Sequence, residues 1–434
     1  MKHAEQHQPK WQIPFFSIWT GQQLSLIGSQ VAGFALVWWL TKTTGSATVL
    51  ATATMVAILP GVLLGPFAGA LVDRWNRRKV MIVADSLIAL VSAWLAYLFW
   101  TGAMRSWHVY IIMLVRAIGG SFHWPAMTAS TSLMVPDKHL SRVAGLNQTT
   151  QGARDIVSPP LGALLLSLLP LHAIMAMDVV TAAFAVLPLF FVYIPQPERS
   201  TPAVGSRLSL WGEVREGLRY VWSWPGLFAM LIMATVINFL LYPAFSLLPI
   251  LVTKHFGGQA LQLGWMNSAW GIGVVLGGLT LSVWGGFRRR ILTTMSGLIG
   301  MGLGTLLIGL SPATAFPLAL GAMFIAGLMN PITNGPVQAI FQTVVAPEMQ
   351  GRVFTLIGSA CAAMSPLGLA IAGPVADALG VRVWFVMGGI MCVAMGIVSF
   401  LTPALMHLED NHRAYSVVAR EVLVAASAGA SAAE

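Results

Sequence analysis

Twelve segments of the chain are each apolar over about 20 residues or more, the length that a helix needs to cross the hydrocarbon core of a membrane. Only 9% of the 434 residues are charged, against about 25% in soluble domains. The chain therefore has too few charges to cover a soluble protein of this size, and we expect lipid to surround it. The predicted spans are residues 14–40, 48–72, 80–101, 107–135, 141–169, 173–194, 224–253, 262–285, 291–310, 315–345, 351–379 and 382–404.

Most of the 24 lysines and arginines lie in every second connection between spans. Because cytoplasmic connections are enriched in Lys and Arg, this pattern predicts that both chain ends are cytoplasmic and that the number of spans is even. The net charge of +9 is then explained by the cations that orient the chain in the membrane. Because these cations do not form one basic face, we expect no nucleic-acid partner. Two cysteines without C-x-x-C spacing predict neither a disulfide framework nor a metal site.

The spans divide into two groups of six around the longest polar break. The turn between spans 4 and 5 has a counterpart in the second half: Pro136-Asp137 with Arg142, and Pro347-Glu348 with Arg352. Such parallel repeats are typical of transporters, whose substrate site lies between the halves. We expect an all-α membrane protein with twelve transmembrane helices in two pseudo-symmetric halves. Its predicted parts are a cytoplasmic N-terminus (1–13), a six-helix bundle (14–194), a cytoplasmic linker (195–223), a second six-helix bundle (224–404) and a cytoplasmic, disordered tail (405–434).

The connection between spans 2 and 3 places one acid among four cations. Taken alone, it is either a positive-inside anchor or a functional loop. Its spacing resembles the G-x-x-x-D-R-x-G-R-R-K loop of the major facilitator superfamily, with Asn76 in place of a Gly; Asn tolerates left-handed backbone better than most residues. The resemblance implies that Asp73 is a gating residue that engages the start of span 11 near Arg352, where helix N–H groups favour an anion. The predicted gating loop contains Gly69, Asp73, Arg74, Arg77, Arg78 and Lys79.

Span 1 narrows the resemblance. Residues 16–29 (FSIWTGQQLSLIGS) and 34–40 (FALVWWL) are similar to the macrolide-efflux branch of the superfamily, which is close to the enterobactin exporters. This resemblance implies an exporter of amphipathic, macrolide-like compounds that works by alternating access in the plasma (inner) membrane. We expect the protein to be a monomer. A siderophore or metabolite exporter and a nutrient symporter remain as alternatives. With no Walker A loop and no catalytic cluster, we expect no enzyme activity, no cofactor and a proton gradient as the energy source.

Ionisable residues inside a membrane are costly, so they are candidate functional residues. Arg116 on span 4 and Arg154 and Asp155 on span 5 form the predicted proton-coupling group, and Asp155 is the only acid near the middle of a span. The alternative is a static ion pair between Asp155 and one of the two arginines. The other acids are expected elsewhere: Asp85 beside the basic loop, and Asp178 and Asp377 at solvated helix ends.

Polar side chains at helical spacing predict a substrate cavity. They follow one face of span 1, one face of span 5 and one face of span 10, and one further Asn lies on span 7. Polar residues in membranes also join helices by hydrogen bonds, and this alternative applies to each stripe. His123 is expected to be a packed side chain. The predicted cavity residues are Gln22, Ser25, Ser29, Asn147, Gln151, Asn238, Asn330, Asn334 and Gln338.

Overall fold

The computed structural model describes residues 11–194, 196, 215 and 218–408, except the side chains of residues 66, 70, 73, 347 and 348. Within these residues the chain forms twelve long helices and no β-strand. Each predicted span coincides largely with one long helix, except that span 224–253 continues past its long helix into two short helical segments, Leu248–Ile250 and Leu251–His255. This arrangement confirms the all-α prediction. The helices are α1 (Gln12–Thr44), α2 (Ala47–Arg74), α3 (Arg77–Trp100), α4 (Ser106–Met134), α5 (Asp137–Leu168), α6 (Leu171–Phe191), α7 (Pro225–Ser246), α8 (Ala260–Trp284), α9 (Arg290–Leu310), α10 (Phe316–Val344), α11 (Pro347–Leu379) and α12 (Arg382–Leu401).

Short connections between these helices depend on capping residues. Gly45 ends α1 with a left-handed φ of 60°, and the Ser46 side chain then accepts a hydrogen bond from the Val49 N–H at the start of α2. Asn76 has a φ of −70°, so the left-handed backbone that its position suggested is wrong. Its side-chain oxygen instead accepts a bond of 3.1 Å from the Lys79 N–H and caps α3.

Among the described residues, ten helices are long and apolar enough to span a membrane. The two long helices outside this set are α4 and α5. They carry Arg116, Arg154 and Asp155, and α5 also begins with Asp137. The residues that lower the apolarity of these helices therefore include the ones predicted to couple transport to protons.

The described residues form two compact units, one within Met1–Thr201 and Val252–Ser268, the other within Pro202–Leu251 and Ala269–Glu434. In the first unit, α1 packs on α5 and α6, and α3 packs on α4 and α6. In the second unit the same pairs recur six helices later, because α7 packs on α11 and α12, and α9 packs on α10 and α12. This repetition of helix pairs is the pseudo-symmetry that the sequence predicts.

The core of the second unit extends beyond the predicted bundle at both ends. Tyr220 and Val221, inside the predicted linker, are buried in the same apolar cluster as Leu405 and Leu408, from the predicted tail. Leu405 lies in a short helix, Pro403–Met406, and Leu408 follows two residues after its end. The expectation of disorder is therefore wrong for residues 405–408, and the remainder of the tail lies outside the described residues.

Close contact between α1 and α6 depends on a glycine. A Cβ atom on Gly21 would overlap the carbonyl oxygen of Phe184, whereas a Cβ atom on Gly33, in the same helix, meets no atom within 4 Å. Overpacking a tight contact costs about 1–3 kcal/mol. We expect Gly21→Ala to lower the thermal unfolding temperature in detergent and Gly33→Ala to preserve it. Equal shifts for the two variants would contradict the close approach of these helices.

Candidate functional site

An ion pair between α4 and α6 forms the first polar cluster of the first unit. Arg116 Nη1 lies 2.7 Å from Asp178 Oδ2, and the Ser92 hydroxyl donates to the same oxygen at 2.6 Å. The Ser29 hydroxyl donates to Asp178 Oδ1 at 2.9 Å, and Arg116 Nη2 donates to the Ser29 carbonyl oxygen at 3.2 Å. Asp178 is only 1% exposed. The buried carboxylate is therefore neutralised by a cation and hydrogen-bonded at both oxygens, which is what burial of a charge requires.

This cluster corrects the expectation for Asp178 and for the partner of Arg116. Asp178 is not at a solvated helix end, and Arg116 pairs with it instead of with Asp155. The reason is that Asp178 lies about two turns into α6, where that helix packs against α1 and α3. Asp377 does lie in the last turn of α11 and is exposed.

Asp85 on α3 is the centre of a second buried cluster. Its Oδ2 accepts a hydrogen bond of 2.7 Å from Gln22 on α1, and its Oδ1 lies 3.3 Å from His123 Nε2 on α4. Asp85 is 6% exposed. The expectation that it pairs with the basic loop is wrong, because it lies about two turns into its helix and faces other spans. His123 is packed, as expected, but its ring is next to a carboxylate.

Three side-chain hydrogen bonds join α1 to α5 at successive levels. They run from Trp19 to Asn147 (2.7 Å), from Arg154 to Gln23, and from Gln30 to Asp155 (3.1 Å). Asp155 itself is exposed, as is Gln151 one turn earlier, while Arg154 is half-buried. Among the described residues, Asp155 forms no ion pair within 4 Å, so the alternative of a static pair with Arg116 or Arg154 is not observed.

Polar residues lie on two faces of α1, and the sequence predicts functional residues on only one of these faces. Gln22 and Ser29 are on the predicted stripe and bond to α3 and α6, and Ser25 between them is buried. Gln23 and Gln30, which contact α5, are not predicted. Their spacing of seven residues places them on one helix face, which is the signal that identifies them. For Gln22 and Ser29 the structure shows helix-to-helix hydrogen bonds, and a cavity role for them stays a prediction.

Two of the predicted cavity residues of the second unit form side-chain hydrogen bonds within their own helices. The amide of Asn238 donates to the Ala234 carbonyl oxygen at 2.9 Å, and that of Asn334 donates to the Asn330 carbonyl oxygen at 3.0 Å. Asn334 and Gln338 are exposed. Each amide also carries an acceptor oxygen, and among the described residues the side-chain oxygens of Asn238 and Asn334 accept no hydrogen bond. A cavity role for these residues stays a prediction.

Two arginines anchor the loop between α2 and α3. Arg77 is 8% exposed, and its Nη1 donates to the Ala129 carbonyl oxygen at 2.9 Å. Arg78 donates to the carbonyl oxygens of Leu189 and Phe190, the second at 2.6 Å. These carbonyls lie near the C-terminal ends of α4 and α6, where a cation is favourable. The loop is thus attached to two further helices of its own unit.

The other predicted gating residues have different environments. Gly69 lies in α2, Arg74 ends that helix, and Lys79 lies in the first turn of α3; both cations are exposed. The side chain of Asp73 lies outside the described residues. Its contact with the start of α11 therefore stays a prediction.

The three carboxylates of these hydrogen-bonded groups, two buried and one exposed, differ in their partners. Asp178 faces a permanent cation, Asp85 faces an amide and an imidazole, and Asp155 accepts from an amide and is exposed. Of the three, Asp155 is the one whose side chain is exposed. No group of three or more His, Cys, Asp or Glu residues that could hold a metal ion is found in the described part of the chain.

Comparison with known proteins identifies the family. The model of the Major Facilitator Superfamily matches residues 18–358 and 242–426 in two overlapping stretches. The chain belongs to this superfamily. It is 35% identical over 388 residues to macrolide efflux protein A of Streptococcus pyogenes, across 89% of this chain and 95% of that protein. It is 29% identical over 411 residues to the multidrug efflux pump Tap of Mycobacterium tuberculosis, across 91% and 95%.

The fold of this superfamily member is also similar to solved transporter structures. A mutant of the nucleoside transporter NupG superposes with a TM-score of 0.67 at 13% identity, covering 90% of this chain and 98% of that chain. The likeness in fold agrees with the family match. The protein is a multi-pass membrane transporter with the major facilitator fold, as its basic loop and paired halves predict.

Proposed function

We propose that this transporter is a secondary active exporter of amphipathic, macrolide-like compounds. The observation that carries the proposal is the 35% identity with macrolide efflux protein A over 95% of that protein. The relation to the multidrug efflux pump Tap supports the same direction of transport. A siderophore or another secreted metabolite is the alternative cargo, and import of a nutrient by symport is the second alternative. In this proposal the protein acts as a monomer in the plasma (inner) membrane with both ends cytoplasmic.

The energy source in this proposal is proton antiport. Asp155 is the proposed proton carrier because it is exposed, follows Arg154 in the chain and accepts a hydrogen bond from Gln30. Protonation removes the negative charge that this bond and the neighbouring guanidinium stabilise. The change alters how firmly α1 and α5 are held together. Protonation of Asp155 thereby shifts the equilibrium between the two conformations of the transporter that alternating access requires.

The direction and cargo of transport are tested in proteoliposomes in which the cytoplasmic side faces outward. An exporter that exchanges drug for protons accumulates a labelled macrolide when the vesicle interior is acidic. A proton symporter accumulates its cargo only under the opposite gradient. We expect macrolide accumulation with an acidic interior, and weaker accumulation of a catecholate siderophore. Accumulation only with an acidic exterior, or of the siderophore alone, would contradict the proposal.

A further inference from the structure

A groove lies between α3 and α4, under the connection from α2. Its volume is about 580 Å³, within the range of about 300–1,000 Å³ that holds small ligands. Cations lie at one end and apolar side chains form the walls: Arg74 and Lys79 at the end, and Val83, Leu87, Ile118 and Phe122 along the walls. The groove is entirely within the first unit.

Two of the residues that line the groove, Val83 and Leu87, belong to the exposed face of α3. The large apolar residues of this helix that are exposed follow each other at intervals of four and three residues, so they form one stripe along the helix. Asp85 lies on the opposite face and bonds to α1. In a membrane such a stripe contacts lipid tails. The stripe consists of Val83, Leu87, Leu90, Trp94, Tyr97 and Trp100.

The cations at the end of the groove differ from the other arginines of the loop. Arg77 and Arg78 are committed to carbonyl oxygens of α4 and α6. Arg74 and Lys79 are exposed, and among the described residues their side chains form no hydrogen bond or ion pair. Trp75, next to them, is 50% exposed and typical of a membrane interface. Two available cations thus lie at the interfacial end of an apolar groove.

We propose that the groove binds one anionic phospholipid, with its phosphate at Arg74 and Lys79 and one acyl chain between α3 and α4. From Lys79 to Leu87 the helix rises about 12 Å, which is most of the roughly 15 Å depth of one leaflet's hydrocarbon. Lys and Arg are the side chains that bind lipid phosphates at the cytoplasmic surface. The positive-inside prediction places this end in that leaflet, where anionic lipids are abundant.

Lipid binding to the delipidated full-length protein, measured by native mass spectrometry, tests the charge requirement. The titrants are phosphatidylglycerol and phosphatidylcholine with the same acyl chains. We expect phosphatidylglycerol to bind about tenfold more tightly, and the double variant Arg74→Gln/Lys79→Gln to lose this preference. The double variant Arg142→Gln/Arg288→Gln removes two exposed cations elsewhere and is expected to keep it. Equal binding of the two lipids to the unchanged protein would overturn the proposal.

Filling the groove tests the place of the acyl chain. Val83→Trp adds a bulky ring inside the groove, whereas Leu90→Trp adds the same ring on the same stripe outside it. We expect only Val83→Trp to weaken phosphatidylglycerol binding, by about tenfold. Unchanged binding in that variant, equal losses in both variants, or full competition by glycerol 3-phosphate would overturn a groove-bound lipid.

Discussion

Replacing Arg116 with Leu is expected to destabilise the protein by about 3–5 kcal/mol, the usual cost of breaking a buried ion pair. The substitution leaves Asp178, which is 1% exposed, with two serine hydroxyls and no cation. Hydroxyls alone do not offset the cost of burying a carboxylate. Chemical unfolding in detergent measures this loss of stability.

Two control variants distinguish the effect of breaking the ion pair from the effect of removing any arginine. The double variant Arg116→Leu/Asp178→Leu removes both charges, so we expect it to recover most of the stability. Arg105→Leu changes an exposed arginine next to the start of α4 and is expected to shift stability by less than about 0.5 kcal/mol. If the double variant is less stable than Arg116→Leu, the two side chains do not act as a pair.

Replacing Asp155 with Asn is expected to abolish uphill transport while preserving downhill exchange of substrate. Each proton exchanged supports about a tenfold substrate gradient per unit of pH difference, and an amide cannot carry that proton. The amide keeps an oxygen that accepts the bond from Gln30, so the contact between α1 and α5 is retained. Substrate accumulation in proteoliposomes measures the first effect, and counterflow without a pH gradient measures the second.

The matched control for this variant lies on the same helix. Asp137 is exposed in the first turn of α5, distant from the hydrogen bonds to α1. We expect Asp137→Asn to keep the full accumulation ratio. Loss of counterflow in Asp155→Asn would indicate a structural role for the carboxylate, and equal accumulation in both variants would exclude it as the proton carrier.

The sequence predicts the helices well because each crossing of a bilayer requires a long apolar helix. Even α4 and α5, whose charges set them apart from the other ten helices, are recognised from their length and apolar flanks. The repeat of Pro136 at Pro347 also places corresponding turns, since α5 begins directly after Pro136 and α11 begins at Pro347.

Side-chain partners are less predictable, because the sequence does not tell which face of a span contacts which neighbour. Asp155 and Asp178 are both acids within apolar spans, and the packing of α6 against α1 and α3 decides that Asp178 receives Arg116. The same packing buries Asp85 beside Gln22 instead of leaving it at the basic loop. The sequence does not distinguish Gln30 from the other polar residues of α1. Its hydrogen bond with Asp155 in the structure does.

The most direct test of proton-driven export is proton movement during transport. A pH-sensitive dye inside proteoliposomes with an acidic interior reports proton release when a macrolide is added outside. We predict that the macrolide accelerates this release in the unchanged protein and that it has no effect in Asp155→Asn. Macrolide accumulation without proton release, or equal release in both proteins, would contradict the proposed mechanism.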